Sequence, residues 1–134
     1  MPSISSIRES NGRATATAVR DQLRPRTRVF ALRIVKVAES LPNTRAGNHF
    51  ANQLLRCGTS VGANYRAACR ARSAAEFCSK LGIVKEETDE SIFWMEMLVE
   101  AKLVPKQRLT PLMAEADELL AMVISSIKTA RKSK

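Results

Sequence analysis

At 134 residues, with 45% hydrophobic and only 4% aromatic side chains, the chain has room for one domain with a core of Leu, Ala, Ile, Val and Met. Lys and Arg outnumber Asp and Glu by 22 to 13, giving a formal charge of +9 and a pI near 10.1, a balance that favours an anionic partner. No apolar run approaches the roughly 20 residues needed to span a bilayer, and no secretory h-region stands near the N-terminus. Cys57, Cys69 and Cys78 lack metal-ligand spacing and form an odd set, so neither a membrane protein nor a disulfide scaffold is expected, and the cytoplasm is the expected compartment.

In chain order, residues 1–23 are rich in Ser, Thr, Ala and Arg with little periodicity, and read as a flexible tail. Residues 24–134 read as a four-helix bundle. Pro25 suits the first turn of a helix whose apolar face is Phe30, Ile34, Val37 and Leu41. Pro42-Asn43-Thr44 ends that helix and caps the next, expected over Arg45–Arg70. Its stripe is Phe50, Leu54, Cys57, Val61, Asn64 and Ala68, with Gly58, Gly62 and Ala63 allowing close approach of a neighbour. Asn64 in that stripe reads as a register-fixing or helix-bridging polar residue.

Ser73 with Glu76 three residues on is a capping box for a third helix reaching about Lys102. Phe77, Leu81, Val84, Met95 and Leu98 form its main apolar face. Beside it lie Glu76, Lys80, Ile83, Glu87, Glu90, Trp94 and Ala101. Thr110-Pro111 then supplies a cap and first-turn proline for a fourth helix, with Leu112, Ala116, Leu119, Val123 and Ile127 inside and Lys128, Arg131, Lys132 and Lys134 at its fraying end. Strand-like alternation is missing throughout. The fold expected is all-α, an antiparallel four-helix bundle.

Charge is segregated along this bundle. From Pro42 to Arg72 there are five arginines and no acid, whereas Ser73 to Val104 holds seven acids against three lysines. At 100° per residue Arg45, Arg56, Arg66 and Arg70 fall within an arc of about 80°, a single basic ridge. Two readings stay open. The ridge binds an anion, with support from Arg33, Lys36, Lys128, Arg131 and Lys132, or it meets Glu86, Glu87 and Glu90 within the subunit or across an oligomer interface. Tyr65 and Trp94 adjoin apolar stripes and read as core or interface aromatics.

Catalytic signatures do not appear. GxxxxGK[ST], GxGxxG and HExxH are all missing, and His49, the single histidine, has no partner nucleophile. Glu87 and Glu90 resemble half of a di-iron site, which would also need Glu-x-x-His motifs on two helices. A non-enzymatic protein without metal or cofactor is expected.

The run Leu41–Leu98 resembles the four-helix-bundle proteins encoded in intervening sequences of bacterial large-subunit ribosomal RNA genes, with the accessory variability determinant of diversity-generating retroelements as a more distant relation. The residues that carry it are Ser60-Val61-Gly62-Ala63-Asn64-Tyr65-Arg66, Ala71-Arg72-Ser73 with Glu76-Phe77, and Lys85-Glu86-Glu87 with Glu90 and Trp94-Met95-Glu96. The similarity covers about residues 27–130. One departure is Ala67, where the family pattern has an acid. The resemblance implies a helical protomer in a homopentameric ring, and retroelement relatives that bind RNA or DNA and associate with a reverse transcriptase. The expected function is therefore nucleic-acid binding, RNA above DNA, with a protein-assembly or adaptor scaffold as the alternative.

Overall fold

Apolar residues spaced by three and four resolve into four helices: α1 Ile4–Glu39, α2 Arg45–Cys69, α3 Ala74–Glu100 and α4 Lys106–Lys132. The computed structural model describes the backbone of residues 4–132 and the side chains of residues 18–132, and no strand occurs among the described residues. Short turns force sequential neighbours to run antiparallel. Each helix packs on the one before it, α4 closes on α1, and the diagonal pairs α1–α3 and α2–α4 are not in backbone contact. The C-termini of α2 and α4 therefore share one end of the bundle.

Caps fix the helix starts. The Thr44 hydroxyl accepts from Gly47 N–H at 3.0 Å, and Ser73 accepts from Glu76 N–H at 3.1 Å. Glu76 answers to the N–H of Arg72 at 3.3 Å, one residue earlier than in the standard box. Helix α3 stops at Glu100 because Lys102 adopts φ 59° and Leu103 N–H reaches back to the Leu98 carbonyl at 3.0 Å. That is a Schellman end with lysine in the place glycine usually takes.

Two expected helix starts are corrected by the structure. Helix α1 runs straight through residues 4–23, so the tail boundary at Leu23 is not an end of structure; the expected tail's residues 1–3 lie outside the described residues. Leu23 is fully buried and Val19 packs against the core. Pro25 and Pro111 are both inside helices rather than at their first turns. Each removes one intrahelical N–H, but both rings lie on exposed faces, where water can reach the carbonyl left without its donor.

The core takes Phe30, Ile34 and Val37 from α1, Leu54 and Val61 from α2, Leu81, Val84, Met95 and Leu98 from α3, and Leu109 through Ile127 at helical spacing from α4. Tyr65, 2% exposed, holds the core position expected of Asn64. Asn64 is half-buried, and its amide donates to the Ser60 carbonyl of its own helix at 2.9 Å, so it does not bridge helices. Thr88 and Ser91 complete the buried stripe of α3, their hydroxyls donating to the Val84 and Glu87 carbonyls.

Gly58 and Gly62 bring α1 and α2 together. A Cβ on Gly58 would stand 2.6–2.9 Å from Ile34 Cγ2, Cγ1 and Cβ, and one on Gly62 would stand 3.2 Å from the Thr27 carbonyl oxygen. In an open helix Gly→Ala stabilises by about 1 kcal/mol. At Gly58 the sign reverses: Gly58→Ala lowers stability by about 1–2 kcal/mol through overpacking. In an Ile34→Ala background the cost shrinks, because the Cγ1 and Cγ2 clashes go while the Cβ contact at 2.9 Å remains. Urea denaturation of the four-member cycle checks this.

Burial also sets the chemistry of Cys57, whose thiol is pushed above its ordinary pKa mainly by desolvation. It stays protonated in the folded chain, with its sulfur 3.3 Å from the Ser91 hydroxyl oxygen. Because the unfolded thiol gives up its proton first, folding stability falls as pH rises beyond the unfolded value, about pH 8.5. Cys69 and Cys78 are half-buried. Alkylation of the native protein at pH 8 followed by mass mapping should modify those two well before Cys57.

Candidate nucleic-acid interface

The close approach of α1 and α2 leaves a valley on their outer side, floored by small groups that include Gly62 and Ala63. Arg24 and Arg28 rise from α1 on one bank, and Arg66 and Arg70 from α2 on the other, around a groove of about 530 Å³. Both pairs are one helical turn apart, so each bank presents a ladder of two guanidinium groups. All four are exposed, and among the described residues no carboxylate lines the groove. Among the described residues none of the four takes part in an ion pair. Four uncompensated like charges in one concavity attract a polyanion more strongly than the same charges dispersed.

The basic surface continues around α2. A shallower depression of about 490 Å³ is lined by Arg66, Arg70, Arg72 and Lys80, with Glu76 as its acid. Lys128, Arg131 and Lys132 are exposed on the last turns of α4, at the same end of the bundle as Arg66 and Arg70. Lys134 lies outside the described residues.

The ridge expected from the helical wheel is therefore not one ridge. Arg56 leans towards α3, where its Nη1 donates to Glu87 Oε2 at 3.3 Å and its Nη2 donates to Glu90 Oε1. Glu90 also accepts from the Trp94 indole N–H at 3.2 Å. Arg56 is thus held by carboxylates of its own subunit and does not line the groove. Arg45 is exposed at the start of α2, about 30 Å along the helix from Arg66 at 1.5 Å per residue. Arg33 is half-buried and Lys36 exposed on α1, and neither lines the groove. Glu86 is exposed and makes no ion pair among the described residues.

Arg24 and Arg28 complete the site and do not figure among its expected residues. The available signal was Arg20, Arg24 and Arg28 at steps of four, hidden by placing a helix start at Pro25. Arg26, between them in sequence, turns to the other side of α1, where its Nε donates to Glu115 at 3.1 Å and its Nη2 pairs with Glu118 at 3.1 Å. Hydrogen bonding to Glu115 is the chief reason the Arg26 pKa is raised further.

The aromatic side chains are not in the groove as stacking platforms. Burial raises the Tyr65 phenol above its ordinary pKa, and its ring serves as wall rather than surface. Trp94 sits in a cluster near the other end, with His49 at 5.5 Å, Phe50 at 5.7 Å and Phe93 at 5.0 Å between ring centroids. Among the described residues no cluster of His, Cys, Asp or Glu has the arrangement to hold a metal ion, and no helix is long and apolar enough to cross a membrane.

No curated protein matches the chain. A crystal structure of a protein of unknown function from the S23 ribosomal protein family of Bacteroides thetaiotaomicron is 32% identical, with a TM-score of 0.78 over 82% of this chain and 98% of that one. The family model described as 23S rRNA-intervening sequence protein matches residues 22–125, a span that contains all four groove arginines. With that much of its length matched and the same helical fold in a solved relative, the chain belongs to the 23S rRNA-intervening sequence protein family.

Proposed function

We propose that this protein is a non-enzymatic nucleic-acid-binding accessory protein that works as an assembly of identical subunits. The observation that carries the reading is the convergence of Arg24, Arg28, Arg66 and Arg70 on one groove that has no acid among the described residues. Guanidinium groups in that array bind phosphates by charge and by paired N–H donors, which positions a strand without reading its sequence. The family description names 23S rRNA intervening sequences, which makes RNA the first ligand to test. Binding of a labelled RNA at about 50 mM salt should be measurable and should weaken steeply on raising the salt fourfold. Undetectable binding, or binding indifferent to salt, overturns the reading.

A second reading, assembly, is favoured by the exposed apolar side chains. Val29 and Leu32 on α1 are 52% and 59% exposed, and Phe93 on α3 is 50% exposed. Arg33 and Lys36 flank the α1 pair, whereas Glu86, Asp89, Glu96 and Glu100 surround Phe93 on its helix face. Since α1 and α3 are diagonal, the two patches look away from each other. A basic-rimmed apolar patch on one subunit then meets an acid-rimmed one on the next, a head-to-tail contact that closes into a ring. Five subunits is the number the family resemblance implies. The arginine ridge is not needed for this contact, so both readings hold together, with a ring multiplying the groove.

A further inference from the structure

A second and larger groove adjoins the basic one. It occupies about 950 Å³ between the N-terminal half of α1, the α2–α3 turn and the C-terminal half of α4. Val19, Cys69, Phe77, Ala121 and Met122 give it an apolar lining, and the exposed Arg20 and Arg72 stand at its edge. The Arg20 guanidinium lies 5.5 Å from the centroid of the Phe77 ring. Among the described residues one carboxylate lines the groove, Glu118, and it is paired with Arg26 at 3.1 Å. Tyr65 belongs to the walls of both grooves, and Arg20 stands one turn before Arg24 on α1.

We infer that this apolar groove receives an unpaired base of the nucleic acid whose phosphates lie along the arginine groove. The inference rests on the nucleic-acid reading and adds to it the class of ligand: a single strand, loop or bulge rather than a continuous duplex. Charge complementarity selects the occupant. An apolar recess rimmed by Arg20 and Arg72, reached from a channel of four further arginines, suits a flat aromatic group carried on a phosphate chain. Arg20 and Arg24 are about 6 Å apart along the helix axis, within the reach of one nucleotide from its phosphate to its base. A base entering there meets the Phe77 ring and the Arg20 guanidinium, both of which stack on nucleobases irrespective of base identity. In a duplex the bases stay stacked inside, and the recess goes unused.

The test uses the full-length protein with single-stranded and duplex RNA of equal length, and with single strands carrying 2-aminopurine at successive positions. Single strand should bind about tenfold tighter than duplex at equal salt, and at least one position should show a fluorescence change on binding. Phe77→Leu keeps the site apolar and removes the stacking ring. It should erase most of that preference while leaving the salt dependence of binding as it was. Arg20→Gln, at an exposed site, should act in the same direction without endangering the fold. Equal or tighter duplex binding, or Phe77→Leu and Arg20→Gln variants that retain the full preference, overturns the base recess while leaving nucleic-acid binding in place. If neither RNA binds, the nucleic-acid reading fails and the recess fails with it.

Discussion

Reversing the charge of Arg66 and Arg70 to glutamate should lower RNA affinity on the order of a hundredfold while the protein stays folded. Half of the groove's four cations become anions, so two phosphate contacts are lost and like charges then face the strand. Each lost contact also removes about 0.7 from the slope of log affinity against log salt for a single strand. The surviving binding should therefore be weaker and visibly less salt-dependent, by about 1.4 in slope for two contacts. Both side chains are exposed and unpaired among the described residues, which leaves the thermal midpoint nearly unchanged. Arg56→Ala gives the opposite pattern. It removes an ion pair to Glu87 and Glu90, about 0–1 kcal/mol for so exposed a guanidinium, and leaves RNA affinity close to that of the parent. Anisotropy titrations at two salt concentrations, paired with melting curves, separate the two classes. A double Arg66→Glu/Arg70→Glu variant that binds like the parent removes the groove from the function.

The contrast between Arg56 and Arg66 shows where reading the sequence stops. Both sit on the same arc of α2, and helical spacing alone makes them equivalent. What distinguishes them is which residue of α3 stands opposite: Glu87 and Glu90, more than thirty positions further along the chain, meet Arg56. Inter-helix register of that kind is not a local property. Caps and most apolar stripes, by contrast, are local properties and are legible. The start of α2 at Arg45, the caps at Thr44 and Ser73, and the buried stripes of α3 and α4 all follow from spacing and side-chain type. Asn64 and Tyr65 mark the intermediate case. Over a 25-residue helix the apolar stripe drifts, and neighbouring wheel positions exchange places at the core.

The prolines account for the larger miss. Pro25 and Pro111 each satisfy the rule for a first helical turn, and both are interior because packing outweighs one lost backbone bond. On α1, Val19 and Leu23 extend the core stripe beyond Pro25. Carrying the helix through that proline also aligns Arg20, Arg24 and Arg28, so one misplaced boundary conceals half of the arginine groove.

Leu32→Glu should convert the proposed ring into single subunits. The leucine is 59% exposed on the outward face of α1, one turn from Arg28 on one side and from Lys36 on the other. In a head-to-tail ring it faces Phe93 of the next subunit, amid that helix's row of carboxylates. A glutamate there buries a charge among like charges, and truncating an interface anchor alone typically costs 2 kcal/mol or more. Phe93→Lys should be disruptive for the matching reason, since it sets a cation against Arg33 and Lys36. Combining the two restores attraction, because each new charge then meets its opposite in the neighbouring copy. Recovery in the double variant is the outcome that a mere folding defect cannot produce. Native mass measurement at micromolar protein reads all three variants directly. The same measurement on Arg66→Glu should leave the particle intact, since that arginine belongs to the groove and not to this contact. A parent protein that is itself a single subunit, or a Leu32→Glu variant of unchanged mass, rejects the α1-to-α3 contact. A particle that falls apart with Arg66→Glu instead would return the arginines to the interface and leave the groove without a free face to offer RNA.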